Sequence, residues 1–418
     1  MSARVSAAGW RLHSTLSFAA IGACGWLFAC APEVNNSIPA AVPQTVAETA
    51  PTSPVIWPTS GWQTSTPEAQ GIDSATLAAA LETIRAERIP VHSLLIERHG
   101  HVVLDTYFYP YAPDQPHNVY SVTKSVTSTL IGIAMREHQL DDVNVPVFSL
   151  LPQRSSDPRK AHLTLAHLLS MTSGLDCSAR GGHNLLQQMM ASRNWPQFVI
   201  DRPLASEPGS TFDYCAGNTE LVSAVLTEKT GASASDYAQR QLFGPLGIAH
   251  ATWPTAADHV SHGWSDLQLT PRDMAKLGYL WLHNGRWEDR QIISESYLAE
   301  ALATHANVEP GINYGYGLWL YPNHVPADFE ANGTGGQRIT VIPSLDMVEV
   351  VTGGGLDANA VAALIATAPK SDSPLPENSA AAARLDSLAT EAALSPGRTG
   401  SRVALHVSQP SRPSSVKS

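Results

Sequence analysis

Residues 125–135, SVTSTLIGIAM, contain no charged side chain. A helix written in these residues has no solvent face, so other elements must surround it and it marks the centre of a large core. The chain can supply that core: 418 residues, 43% hydrophobic and 15% charged, is the composition of a globular protein. Upstream, VHSLLIERHGHVVLDTYF gives two β-rich runs around His99-Gly100-His101, the pattern of a hairpin. TPEAQGIDSATLAAALETIRAERI reads as a helix capped by Asp73 or Ser74. Residues 140 to about 280 read as mainly helical, with LTLAHLLSM, LVSAVLTEKTG and PRDMAKLGYLWLHNG amphipathic or closed by glycine. Short β-formers return in YGYGLWLYP, GQRITVIP and MVEVVTGG, and VAALIATA closes with a helix. Strands towards both ends with helices between predict an α+β fold. One antiparallel sheet is assembled from both ends of the chain, with flanking helices and an inserted, mainly helical region.

The termini read differently. Arg4 and Arg11 precede an uncharged stretch of signal-peptide length ending in Leu27-Phe28-Ala29-Cys30, which resembles a bacterial lipobox. Residues 1–30 are therefore expected to export the chain to the periplasm and to anchor it by lipid at Cys30, its only expected membrane contact; Cys24 is the weaker alternative. Residues 31–60, rich in Pro, Ser, Thr and Ala, read as a flexible tether. Residues 61–394 form the folded domain and 395–418 a disordered tail. Outside the leader only Cys177 and Cys215 remain, and an oxidising compartment would allow them to pair; two unlinked buried thiols are the equal alternative. The net charge of −11, with Lys and Arg scattered, excludes the basic stripe of a nucleic-acid binder.

The buried run opens with Ser121-Val122-Thr123-Lys124. Serine and lysine three apart share a helix face, and a lysine forced into an apolar place loses solvation, so its neutral amine becomes able to take a hydroxyl proton. The alternative is a capping serine with a lysine that snorkels to the surface. Spacing alone does not decide, because Ser414 and Lys417 repeat it in the tail.

Two later stretches carry more. FDYCAGNTELVSAVLTEKTG places Tyr214 in a polar turn before a helix, and ANGTGGQRITVIPSLDMVEVVTGG is a glycine-rich entry to a hairpin. With LTLAHLLSMTSGLD and LQLTPRDMAKLGYLWLHNGRW, these resemble the serine β-lactamase-related hydrolases: class C β-lactamases, low-molecular-weight penicillin-binding proteins, and the esterases and nylon-oligomer hydrolases on that scaffold. The resemblance spans about 60–390 and implies Ser121 as nucleophile, Lys124 as its base and Tyr214 as proton relay. It also implies an oxyanion hole from the backbone N–H groups of Ser121 and Thr334, with Asn332 and Gly333 lining the substrate. Two motif positions depart from the family: Ala216 stands where it has asparagine, with Asn218 two residues on, and Ala331 where it has lysine or histidine. The missing basic residue argues for an uncharged ester or amide rather than a carboxylate-bearing substrate.

No G-x-S-x-G elbow, H-E-x-x-H or phosphate-binding loop occurs, so no cofactor or metal is expected; His99/His101 and His259/His262 read as turn histidines. The expected partner is a small-molecule ester or amide. Other readings are a D-alanyl-D-alanine peptidase, a β-lactamase, or a surface protein that holds a cell-wall peptide without turnover.

Overall fold

Two consecutive hairpin strands and a late run of six pair into one sheet. The computed structural model describes residues 55–177, 185–256 and 258–395. Among them the sheet strands are β1 (Gln63–Thr64), β2 (Val91–Arg98), β3 (His101–Tyr107), β4 (Ala306–Glu309), β5 (Ile312–Tyr314), β6 (Trp319–Tyr321), β7 (Asp328–Gly333), β8 (Gln337–Ile342) and β9 (Met347–Gly353). The order is β1-β3-β2-β9-β8-β7-β6-β5-β4. All pairs are antiparallel except β1 with β3. The early hairpin and the late strands meet where Val350 pairs with Leu95, so both ends of the chain do build one sheet. The first hairpin turns through His99 and Gly100, at φ 52° and 81°, the left-handed pair that suits the twist of the flanking strands.

Strand alternation sorts the two faces. Phe329, Ala331, Ile339, Val341, Val348 and Val350 share a core with α2 (Val122–Arg136) and α4 (Pro271–Leu282). Ile342, Met347, Val351, Leu94 and Ile96 point the other way, towards α1 (Ser74–Ala86), α5 (Ala358–Ile365) and α6 (Ser379–Ala392). Asp73 caps α1, its carboxylate accepting the Ala75 and Thr76 N–H groups. The inserted region carries short helices and α3 (Ala216–Thr230), which packs across α2.

Helix α2 is enclosed as its composition demands: every residue from Val122 to Ala134 is buried. Its hydroxyls survive this because each finds a partner. Ser125 donates to the Gly317 carbonyl at 2.5 Å, Ser128 to that of Tyr316 at 2.7 Å, Thr127 to that of Gly263 at 2.9 Å, and Thr129 accepts the Trp281 indole N–H at 3.0 Å.

Two expectations need correction. The last residues assigned to the tether are part of the fold: Trp57 packs its ring against Tyr279, His283 and Trp287, and the Ile56 carbonyl accepts the Tyr279 hydroxyl at 3.0 Å. Apolar burial overrides the Pro/Ser-rich composition there. Helix α6, alanine-rich and only weakly amphipathic, was not expected from the sequence; it docks on α1 and β3. The leader, Cys30, residues 31–54 and residues 396–418 lie outside the described residues.

Candidate active site

Ser121 stands at the N-terminus of α2, and the turn before it is tightly held. Tyr120 adopts φ 47°, a strained conformation for a non-glycine residue and one that clusters at functional sites. The Asn118 side chain holds that turn, its oxygen accepting the Tyr120 N–H at 2.8 Å and its amide donating to Asp266 at 3.3 Å.

Ser121 does not cap its helix. Its Oγ instead accepts a hydrogen bond from Lys124 Nζ at 2.9 Å. Lys124 does not snorkel either: it is 3% exposed, and its second bond goes to the Trp264 carbonyl at 2.8 Å. No carboxylate pairs with it among the described residues, and burial alone lowers its pKa to about 7. Near neutral pH a large share of the amine is therefore uncharged. With one proton directed at the Trp264 carbonyl, its lone pair can face the serine hydroxyl.

Tyr214 completes the group. The residue is 37% exposed, yet its hydroxyl reaches in to Ser121. Burial pushes its pKa up to about 12, against a hydrogen bond with Ser121 that pulls it down. At neutral pH it is a phenol, able to donate and to pass a proton. Lys124 Nζ lies 5.0 Å from its ring centroid, and Trp319 packs beside it at 5.5 Å.

These groups open into a cavity of about 340 Å³. Its other walls are Tyr120, Leu185, Leu186, Ala216, Trp264, Ser265, Thr334 and a disulfide between Cys177 and Cys215, whose Cα atoms are 5.7 Å apart. Cys215 follows Tyr214 directly, so the bridge ties the wall of the cavity to the tyrosine. Lys124 is the only Lys, Arg, His, Asp or Glu among the described lining residues. Apart from Lys124, the described lining residues are apolar or neutral.

The glycine-rich stretch divides at the end of β7, because Thr334 lies in the turn beyond Gly333. Thr334 lines the cavity, and neither its N–H nor that of Ser121 is taken up by another described backbone group. Gly333 is needed for close approach, but the partner is the chain itself: a Cβ there would lie 2.3 Å from the Val119 carbonyl oxygen. The glycine lets the end of β7 lie directly on the segment that leads into Ser121. Asn332, expected to line the substrate, does not. Its side chain projects from the opposite face of the sheet and donates to Glu330 at 2.9 Å. Asn218 does not replace the asparagine missing at Ala216 either, being fully buried with its amide against the Met171 sulfur at 3.7 Å.

Sequence reasoning left open which segments wall the pocket; Cys177, Leu185 and Leu186 come from one and Trp264 and Ser265 from another. It missed the Trp264 carbonyl, a backbone contact that carries no residue signature. It also missed the support behind it. Glu220 on α3 is fully buried, accepts the Gly263 N–H at 3.1 Å, and has its carboxyl pushed up to about 8 by burial. Of the turn histidines, His262 pairs with Asp266 at 2.9 Å. No group of three or more His, Cys, Asp or Glu among the described residues is placed to hold a metal ion.

The chain has relatives. The family model described as Beta-lactamase matches residues 77–385. The 6-aminohexanoate-dimer hydrolase of Paenarthrobacter ureafaciens is 22% identical over 289 residues, covering 64% of this chain and 73% of that protein. Among solved structures, EstCE1, a hydrolase with promiscuous acyltransferase activity, matches with a TM-score of 0.60 at 16% identity, over 71% of this chain and 99% of its own. A family VIII carboxylesterase matches with a TM-score of 0.57 at 16% identity, over 79% and 98%. At these identities the structural likeness establishes the fold. With a match over most of its length, the chain belongs to the beta-lactamase family and is a serine hydrolase.

Proposed function

We propose that this hydrolase cleaves an uncharged ester or amide through an acyl-enzyme on Ser121. The observation that carries the reading is the 2.9 Å contact between Ser121 Oγ and the buried, carboxylate-free Lys124 amine. In the first half-reaction Lys124 takes the hydroxyl proton as Oγ bonds to the acyl carbon. The ammonium then returns a proton, through Tyr214, to the leaving alkoxide or amine as the acyl–heteroatom bond breaks. In the second half water attacks the same carbon, loses its proton along the same route, and Oγ leaves with a proton. The Ser121 and Thr334 N–H groups stabilise the oxyanion in both halves, and such donors contribute roughly 3 kcal/mol each in acyl transfer.

The lack of a second cation among the described lining residues supports a neutral acyl group, and the leucines and tryptophan there favour an apolar one. The likeness to an amide hydrolase and to a carboxylesterase supports both bond types. A base of pKa about 7 makes kcat/KM rise with pH through neutrality, since the active form is the unprotonated amine. Export and anchoring at Cys30 belong to the same proposal, supported by the leader sequence and by a disulfide in the fold.

The test is a turnover panel of p-nitrophenyl butyrate, a linear aminohexanoate amide, a penicillin and a cephalosporin. The neutral ester is expected to turn over, with both β-lactams slower by about 10²-fold because the described lining residues offer their carboxylate no cation besides Lys124. Faster penicillin turnover, or a persistent penicillin adduct, would overturn the neutral-substrate assignment.

A further inference from the structure

The sheet carries a second cavity, on the face away from Ser121. Glu330, Arg338, Thr340 and Glu349 project onto that face from β7, β8 and β9, because they alternate with the residues packed on α2 and α4. A space of about 480 Å³ lies over them, between helix α5 and the segment around Val325, which is 99% exposed at the mouth. Helix α5 presents Ala362 and Ala363 to it, and these small side chains leave the space unfilled. Ile342 and Met347 supply an apolar wall.

The charges in this cavity do not balance. Both terminal nitrogens of Arg338 are engaged, with Glu330 at 3.3 Å and with the Asn359 side chain and the Ala358 carbonyl, both at 2.6 Å; only its buried Nε is without a partner. Glu349 lines the space, is 5% exposed, and makes no hydrogen bond or ion pair with any described residue. Asp328 accepts a bond from His324 at 2.7 Å through one oxygen, while its other oxygen is buried without a partner. That oxygen is closed off from the space, so Glu349 is the unpaired carboxylate that a ligand donor could meet. Three carboxyl groups thus surround one guanidinium that is already paired.

We infer that this cavity binds a compact organic monocation, its ammonium facing Glu349 and its apolar body lying against Ile342, Met347 and the alanines of α5. The inference is independent of the hydrolytic site, from which the sheet separates it. Burial raises the Glu349 carboxyl to about 7, with Arg338 pulling it down and Glu330 and Asp328 pushing it up. A bound ammonium favours the ionised carboxylate, so binding near pH 7 releases a fraction of a proton, and at pH 9 it releases almost none.

Calorimetric titration of the full chain with benzylamine, in phosphate and in HEPES at pH 7, tests this. Benzylammonium is expected to bind at least tenfold more tightly than benzyl alcohol, with different heats in the two buffers. The affinity should be the same after Ser121 is capped by a fluorophosphonate. Glu349→Gln should weaken binding at least tenfold and leave ester turnover unchanged. Ala362→Leu, which fills the space without touching a charge, should also weaken it. Equal binding of benzyl alcohol, or loss of binding on capping Ser121, would overturn the inference. So would unchanged affinity in both variants, or no binding heat at all.

Discussion

Lys124→Met is expected to lower kcat/KM for a neutral ester by about 10³-fold while making the protein more stable. The two effects share one cause. Lys124 is buried without a counter-ion, and its amine keeps a depressed pKa of about 7 against the usual 10.5. Below pH 7 the amine is protonated in both the folded and unfolded chains, and the full cost of a buried charge is carried. Between pH 7 and 10.5 the unfolded chain holds the extra proton, so stability rises with pH across that window. Methionine matches the volume and flexibility of the lysine stem without the charge. Replacing a buried ionisable group by such a residue stabilises by on the order of 1–4 kcal/mol. The check is a melting curve beside a pH–rate profile. The variant should melt higher, and its residual rate should lose the rise through pH 7. A variant that melts lower and keeps the profile would mean that Lys124 is structural and the base lies elsewhere.

Gly333→Ala is expected to reduce kcat by about 10²-fold, since a shift of about 1 Å in a reacting group has that effect. The added Cβ would sit 2.3 Å from the Val119 carbonyl oxygen and 3.2 Å from the Gln337 Cβ. The first neighbour is backbone, two residues before Ser121, and cannot swing aside like a side-chain tip. Either β7 backs away and takes Thr334 N–H from the oxyanion position, or the turn through Tyr120 moves and takes Ser121 with it. Both routes damage the same step. The expected signature is a large fall in kcat with little change in KM and a far-ultraviolet spectrum that stays native. An unchanged kcat would show that the strand and the nucleophile turn are not mechanically linked.

Local chemistry made much of this molecule legible in advance. The uncharged run after Lys124 requires enclosure whatever surrounds it, and α2 is enclosed. The His99-Gly100 turn between two β-rich runs specifies a hairpin, and β2 and β3 pair across it. Sequence order also placed strands at both ends of one sheet. What escaped depends on contacts far apart in the chain. Asn332 and Thr334 are two residues apart and would share a face in a continuous strand; only the end of β7 at Gly333 turns Thr334 to the site. The carbonyl that orients Lys124 comes from Trp264, 140 residues away, and any residue type could have supplied it. Trp57 sits in a Pro/Ser/Thr-rich stretch and was read by its neighbours, although its own ring finds three aromatic partners in the core. The Cys177–Cys215 bridge needed a Cα separation that sequence does not contain.

Intact-mass spectrometry of the protein treated with a fluorophosphonate, run beside Ser121→Ala, tests the central claim most directly. A single phosphonyl adduct on the wild type, mapped to Ser121 by peptide fragmentation and absent from Ser121→Ala, is the predicted result. It should form faster at pH 8 than at pH 6, as the Lys124 amine loses its proton. An adduct that persists in Ser121→Ala, or labelling indifferent to pH across neutrality, would contradict the assignment of Ser121 as a nucleophile activated by Lys124.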